Sequence, residues 1–161
     1  MATVGTAITR IEIGNYETQV AIENGPAPVI FRLAMGATQI GSRPFAQRPP
    51  SALELENAIA TVEDLVMPLA KLLPPDTTLV SSDYIAVTLV ELLHPGHEPA
   101  GGMLSLAQVE QVFDELAAVS LGRPASTARV PTDNAFFAYV LILREFMHHL
   151  AFKFLSVPGA A

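Results

Sequence analysis

The side chains of this sequence that could do chemistry are few, and most are carboxylates. Glu12, Glu17 and Asp83 would be the natural trio, because a hard cation such as magnesium takes oxygen ligands and often keeps several waters. Nothing in the sequence brings Asp83 to the other two, and the ordinary reading of Glu12 and Glu17 is as solvated turn residues. Histidine offers less. His148 and His149 are adjacent in a helical stretch, so they point about 100° apart and cannot both ligate one ion. His94 and His97 sit in a loop rich in proline and glycine. Ser81 and Ser82 suggest a nucleophile only if a base is supplied, and none is placed; with Asp83 they read as the N-cap of the next helix. Arg43 and Arg48, beside Pro44 and Pro49, read as solvated loop cations. The chain has no cysteine, which excludes disulfides, thiolate zinc sites and cysteine nucleophiles together and fits a reducing cytoplasm.

These residues must be positioned by one folded unit. The 161 residues are half hydrophobic and only 16% charged, enough to bury a core of single-domain size, so residues 1–161 are expected to form one domain. A net charge of −7 removes the electrostatic footprint for nucleic acid or anionic lipid and counts against a long polyanion as ligand. Met1 to Arg10 has no basic stretch leading into an apolar run. The longest apolar candidate, Ala135 to Leu155, is broken by Arg144, Glu145, His148, His149 and Lys153, so no membrane span is expected.

Ala7 to Ile13, Thr18 to Glu23 and Val29 to Ile40 read as three strands joined at Gly14-Asn15 and Asn24-Gly25, an antiparallel meander. Ser51 with Glu54 forms a capping box before Leu55, Ile59, Val62 and Val66, and Pro68 should shorten or kink that helix. A short strand at Thr77 to Ser81 and a helix at Tyr84 to Leu93 follow. His94 to Gly102 reads as a surface loop, and Ser105 with Gln108 caps a further helix. A nearly all-apolar helix from about Ala135 to Leu150 demands burial on most sides, and its Phe136, Tyr139, Leu143, Phe146 and Met147 stripe reads as core. Phe152 to Val157 closes as a last strand. The expected fold class is α/β, a mixed sheet of about five strands flanked by helices, in the order of an RNase H-like, actin-like domain.

Four segments resemble, in order and in register, the second domain of the exopolyphosphatase and guanosine pentaphosphate phosphatase (Ppx/GppA) family. Ile11 to Ile22, IEIGNYETQVAI, is similar to that family's D-I-G-G-G-S-T-E-L, and Phe31 to Ile40, FRLAMGATQI, to its S-L-P-L-G-A-V-R-L. LVSSDYIAVTLVEL, from Leu79, stands where the family has a strand, a G-T-G-G-T turn and a helix. LSLAQVEQVFDELAAVSL resembles its L-T-L-E-E-L helix, and NAFFAYVLILREFMHHLAFKFLSV its D-V-I-x-A-G-x-x-I-L helix and closing strand.

The resemblance implies two such domains facing each other, with phosphate cradled between them by glycine-rich turns, and a first domain, carrying the catalytic glutamate, that these residues do not include. The matching turn positions here are Glu12, Gly14, Asn15, Tyr16, Glu17 and Thr18, and Ser81, Ser82, Asp83 and Tyr84. Their chemistry departs from the family pattern. Glu12 replaces an aspartate, Asn15 and Tyr16 replace glycines, Glu17 a serine and Gln19 an acid; farther on, Asn134 replaces an aspartate and Tyr139 a glycine. Acids and bulk at an anion cradle oppose binding. The expectation is therefore a degenerate, non-catalytic domain with no catalytic residues and no cofactor, working through protein contacts as a homodimer or on another protein. The alternatives are half of a phosphatase for polyphosphate or guanosine pentaphosphate completed by a separate chain, with magnesium, or a small-molecule sensor. All three tyrosines stand where the resemblance places glycine, so Tyr16, Tyr84 and Tyr139 are expected to fill the former cleft.

Overall fold

The computed structural model describes residues 5–96 and 101–159. Strands β1 (Ile8–Ile13), β2 (Thr18–Glu23) and β3 (Val29–Leu33) form the antiparallel meander, with Thr18 opposite both Ile13 and Leu33. Helix α1 (Ala37–Ser42) and helix α2 (Ala52–Val66) follow, and α2 carries the expected Ser51–Glu54 capping box. Beyond Val66 the chain tightens into a 3₁₀ turn, Met67–Lys71, around Pro68, where the missing N–H forbids another α turn.

Strand β4 (Thr78–Val80) runs parallel to β1, and helix α3 (Tyr84–Leu93) leads toward β5 (Gly102–Ser105). Helices α4 (Leu106–Ser120) and α5 (Asn134–His149) precede β6 (Phe154–Val157), which is parallel to β4 and antiparallel to β5. Among the described residues the sheet therefore has six strands, in the order β3-β2-β1-β4-β6-β5.

Burial alternates along the strands. Thr9, Ile11, Ile13, Thr18, Val20, Leu79, Leu104, Leu155 and Val157 are buried on the side that meets the helices. Glu12, Arg32, Met103 and Phe154 lie exposed on the other, which the helices leave open. Helix α5 is the centre of the helical layer, packed by α1, α2, α4 and β1, and all its residues are buried except Ala135, Arg144, His148 and His149. Phe45 and Phe113 meet Phe137 at 5.3 and 5.7 Å between ring centroids. Glu145, although buried, is neutralised by Arg144 at 2.5 Å and bonded to His149 at 2.9 Å.

Three local expectations are corrected. The third strand ends at Leu33, not Ile40, and residues 37–42 are helical. The predicted loop and cap between His94 and Ser105 contain an edge strand, β5, which pairs with β6 and raises the count from about five to six. The closing strand begins at Phe154, after a turn in which Ala151 adopts a positive φ of 60°. His97 lies outside the described residues.

Candidate functional site

The two turns singled out from the sequence meet at one end of the parallel strands. The first is drawn tight by its own backbone: Gly14 N–H donates to the Glu17 carbonyl at 2.9 Å, and a Cβ on Gly14 would stand 2.7 Å from that oxygen. Thr18 is fully buried and its hydroxyl donates to the Met35 carbonyl at 2.9 Å. That bond holds the bend after β3 against the turn.

The start of α1 then docks on the turn. Ala37 N–H donates to the Gly14 carbonyl at 2.9 Å, and the N–H groups of Thr38 and Gln39 both donate to the Asn15 carbonyl at 3.0 Å. The Thr38 hydroxyl adds a bond to the Asn15 side-chain oxygen at 3.0 Å. These first amides of a helix have no partner within it and are the groups an anion would otherwise seek. Here carbonyl oxygens take them. This capture also explains why residues 34–40 do not continue as strand: the amides are already committed to the turn.

The second turn is organised by Asp83. One carboxylate oxygen, Oδ2, accepts the Ile13 N–H at 2.9 Å and the Tyr139 hydroxyl at 2.9 Å. Asp83 is the N-cap residue of α3, as read from the sequence, but its side chain makes no cap bond. Ser81, fully buried, accepts the Asp83 N–H at 3.1 Å, and its own N–H reaches the Ser156 carbonyl at 3.1 Å. Asp83 thus belongs with the first turn after all, through the backbone next to Glu12, although no three His, Asp or Glu side chains converge as a metal site among the described residues.

The tyrosines divide. Tyr139 is buried at 1% exposure beneath the turns, whereas Tyr16 and Tyr84 are 71% and 83% exposed, so the expectation that all three tyrosines fill space there does not hold. Glu12 and Ser82 are exposed as well, and Glu17 is held by Arg32 at 2.8 Å. Asn134, at the start of α5, donates to the Gln47 carbonyl at 2.8 Å. Two residues carry this site without having been picked from the sequence as parts of it. Gly36 lets the turn lie against α1, and Ile13 supplies the amide that Asp83 binds. The only sequence hint of the first is its match to a glycine in the family's L-G-A segment.

Burial holds the Tyr139 phenol well above its ordinary value of 10, the Asp83 charge and the hydrogen bond to it add to that, and the Ser81 hydroxyl opposes it. The ionised phenol is therefore favoured in the unfolded chain. Tyr139 contributes stability that is fully present below about pH 10 and is lost as pH rises through the raised folded value. In urea unfolding at pH 8 and pH 11, wild type should lose stability over that interval and Tyr139→Phe should lose less; equal losses would mean that Tyr139 ionises freely.

No protein-family model and no curated protein sequence matches the chain. Solved structures do. Two of the Ppx/GppA protein of Aquifex aeolicus superpose with TM-scores of 0.76 and 0.78 at 18% identity, over 95% and 96% of this chain. The fold is that of one half of a Ppx/GppA protein. An exopolyphosphatase from Cytophaga hutchinsonii superposes with a TM-score of 0.72 at 13% identity, over 96% of this chain. The chain spans only about half of each, 52% and 53% of the Aquifex chains and 53% of the Cytophaga chain. The Ppx/GppA likeness agrees with the α/β, actin-like architecture read from the sequence. Among the described residues no helix is long and apolar enough to cross a membrane.

Proposed function

We propose that this chain is a degenerate, non-catalytic exopolyphosphatase-like domain that acts through protein–protein contacts as a homodimer in the cytoplasm, without cofactor, nucleic acid or membrane. One observation carries the reading: the amides that border the two turns, those of Ile13, Gly14, Ala37, Thr38, Gln39 and Asp83, are spent inside the molecule. The Asp83 carboxylate holds Ile13, the Asn15 carbonyl holds Thr38 and Gln39, and the Gly14 carbonyl holds Ala37. A phosphate would have to displace a fixed carboxylate from Ile13 and would meet its charge, together with Glu12 and Glu17, in a chain of net charge −7.

The exposed Tyr16 and Tyr84 support contact with another protein rather than catalysis, apart from the contact between two copies, since tyrosine presents a large apolar area at low entropic cost to a partner. The half-length match to Ppx/GppA structures supports a second reading, in which another chain completes a phosphatase cleft. Phosphate release from polyphosphate or guanosine pentaphosphate, assayed with magnesium on the purified chain with and without a separate first-domain chain of the Ppx/GppA type, separates them. No release above a heat-inactivated control is expected. Turnover by the chain alone would overturn the non-catalytic reading.

A further inference from the structure

The reading as a self-associating domain leaves open where two copies would meet, and the two tyrosine-bearing turns are a poor place for it. Like meets like across a two-fold contact, and that end of the sheet carries Glu12, Glu17 and Asp83. We infer that β3 is the seam instead: two copies pair antiparallel along β3, joining two sheets of six strands into one of twelve.

Strand β3 is outermost in the sheet, so alternate N–H and C=O groups along it point away from β2 and are ready for another strand. Two of its three exposed residues are apolar, Val29 at 56% and Ile30 at 49%. None of the usual guards against pairing lies within it: VIFRL holds no proline or lysine, and its one charge, Arg32, is bound to Glu17 at 2.8 Å. The opposite edge, β5, is a residue shorter and starts at a glycine that lies under Val90.

On the helix side of β3 lies a recess of about 540 Å³ walled by Ile22, Val29, Phe31, Leu72, Leu73 and Pro75. In an antiparallel pair about an axis normal to the sheet, both copies keep their helices on the same side. The recess of one copy then faces that of the other across the seam, and a single contact covers both.

Charge selects a second copy as the occupant. Residues 24–31 carry no charge and residues 66–75 carry only Lys71, in a chain whose net charge is −7. This is a margin along which two acidic molecules can approach without opposing carboxylates. Five residues of strand and one recess make a small footprint against the roughly 800 Å² per partner of a standard interface, so a reversible dimer in the micromolar range is expected.

The test uses the full chain, whose lack of cysteine provides a clean background. Ile30→Cys should form a disulfide-linked dimer on mild oxidation, because residues near a two-fold axis meet their own copies. Tyr84→Cys, at a more exposed position (83%), should stay monomeric. In sedimentation equilibrium, Ile30→Lys should weaken the dimer at least tenfold, and the pair Tyr16→Ser with Tyr84→Ser should leave it unchanged; circular dichroism checks the fold of each. A dimer that survives Ile30→Lys, or that cross-links through Tyr84→Cys and not Ile30→Cys, overturns the seam and leaves self-association standing. A wild-type chain that stays monomeric at about 100 times the expected micromolar constant overturns both. Neither outcome bears on phosphate release.

Discussion

Asp83→Ala should cost about 2–4 kcal/mol of folding stability, because it strands two donors at once. The Ile13 amide and the Tyr139 hydroxyl both end on Oδ2, each at 2.9 Å, and Tyr139 is buried beyond the reach of water. Asp83→Asn keeps the shape and one acceptor but not the charge, so it should fall roughly midway. Tyr139→Phe should cost about 1–1.5 kcal/mol, the worth of one hydrogen bond. Urea denaturation of the two single variants and the double variant closes the cycle, with an expected coupling of about 1 kcal/mol. Additive costs would show that the carboxylate and the phenol do not act as a unit.

Gly36→Ala should be at least as damaging, by a different route. A Cβ at that position would lie 2.4 Å from the carbonyl carbon and oxygen of Asn15 and from the Tyr16 nitrogen. These are backbone atoms and cannot rotate away. The turn must retreat from α1, loosening the bonds from Ala37, Thr38 and Gln39 that were 2.9–3.0 Å long. Overpacking of about 1–3 kcal/mol plus the weakened bonds gives an expected loss of about 3 kcal/mol or more. Gly25→Ala, where an added Cβ meets nothing within 4 Å, is the matched control and should change stability by less than about 0.5 kcal/mol. Faster amide exchange at Thr38 and Gln39 would trace the loss to this contact. A Gly36→Ala chain as stable as the control would mean that the turn and α1 are not held together as described.

What could be read from the sequence was what is locally encoded. Ser51 with Glu54 and Ser105 with Gln108 each form a reciprocal cap within three residues, and both helices start there. The apolar length of α5 demanded burial on most sides and received it. The failures share a cause. Helix α1 is six residues long, too short for a helical period, and its FRLAMGATQI context alternates like a strand. Strand β5 has four residues and a partner about fifty positions later. Asp83 sits where a cap belongs, yet its partners lie 70 and 56 residues away, and those tertiary bonds prevail over the local preference. The same separation hid the closure of the turns. The exposed positions of Tyr16 and Tyr84 could not be told from that of Tyr139, because aligned glycines say where backbone comes close and not which way a larger side chain will turn.

The central place of α5 has a consequence for how the protein is made. The meander of β1, β2 and β3 is finished by Leu33, but the helix that covers it does not begin until Asn134. At about 5–20 residues per second, a ribosome needs roughly 5–20 s to add the intervening hundred residues. For that interval Ile11, Val20 and their neighbours have no α5 to pack against, beside a strand edge suited to pairing. The nascent chain is thus most prone to aggregate midway through its synthesis, and a pause placed before α5 would do more harm than one placed after it.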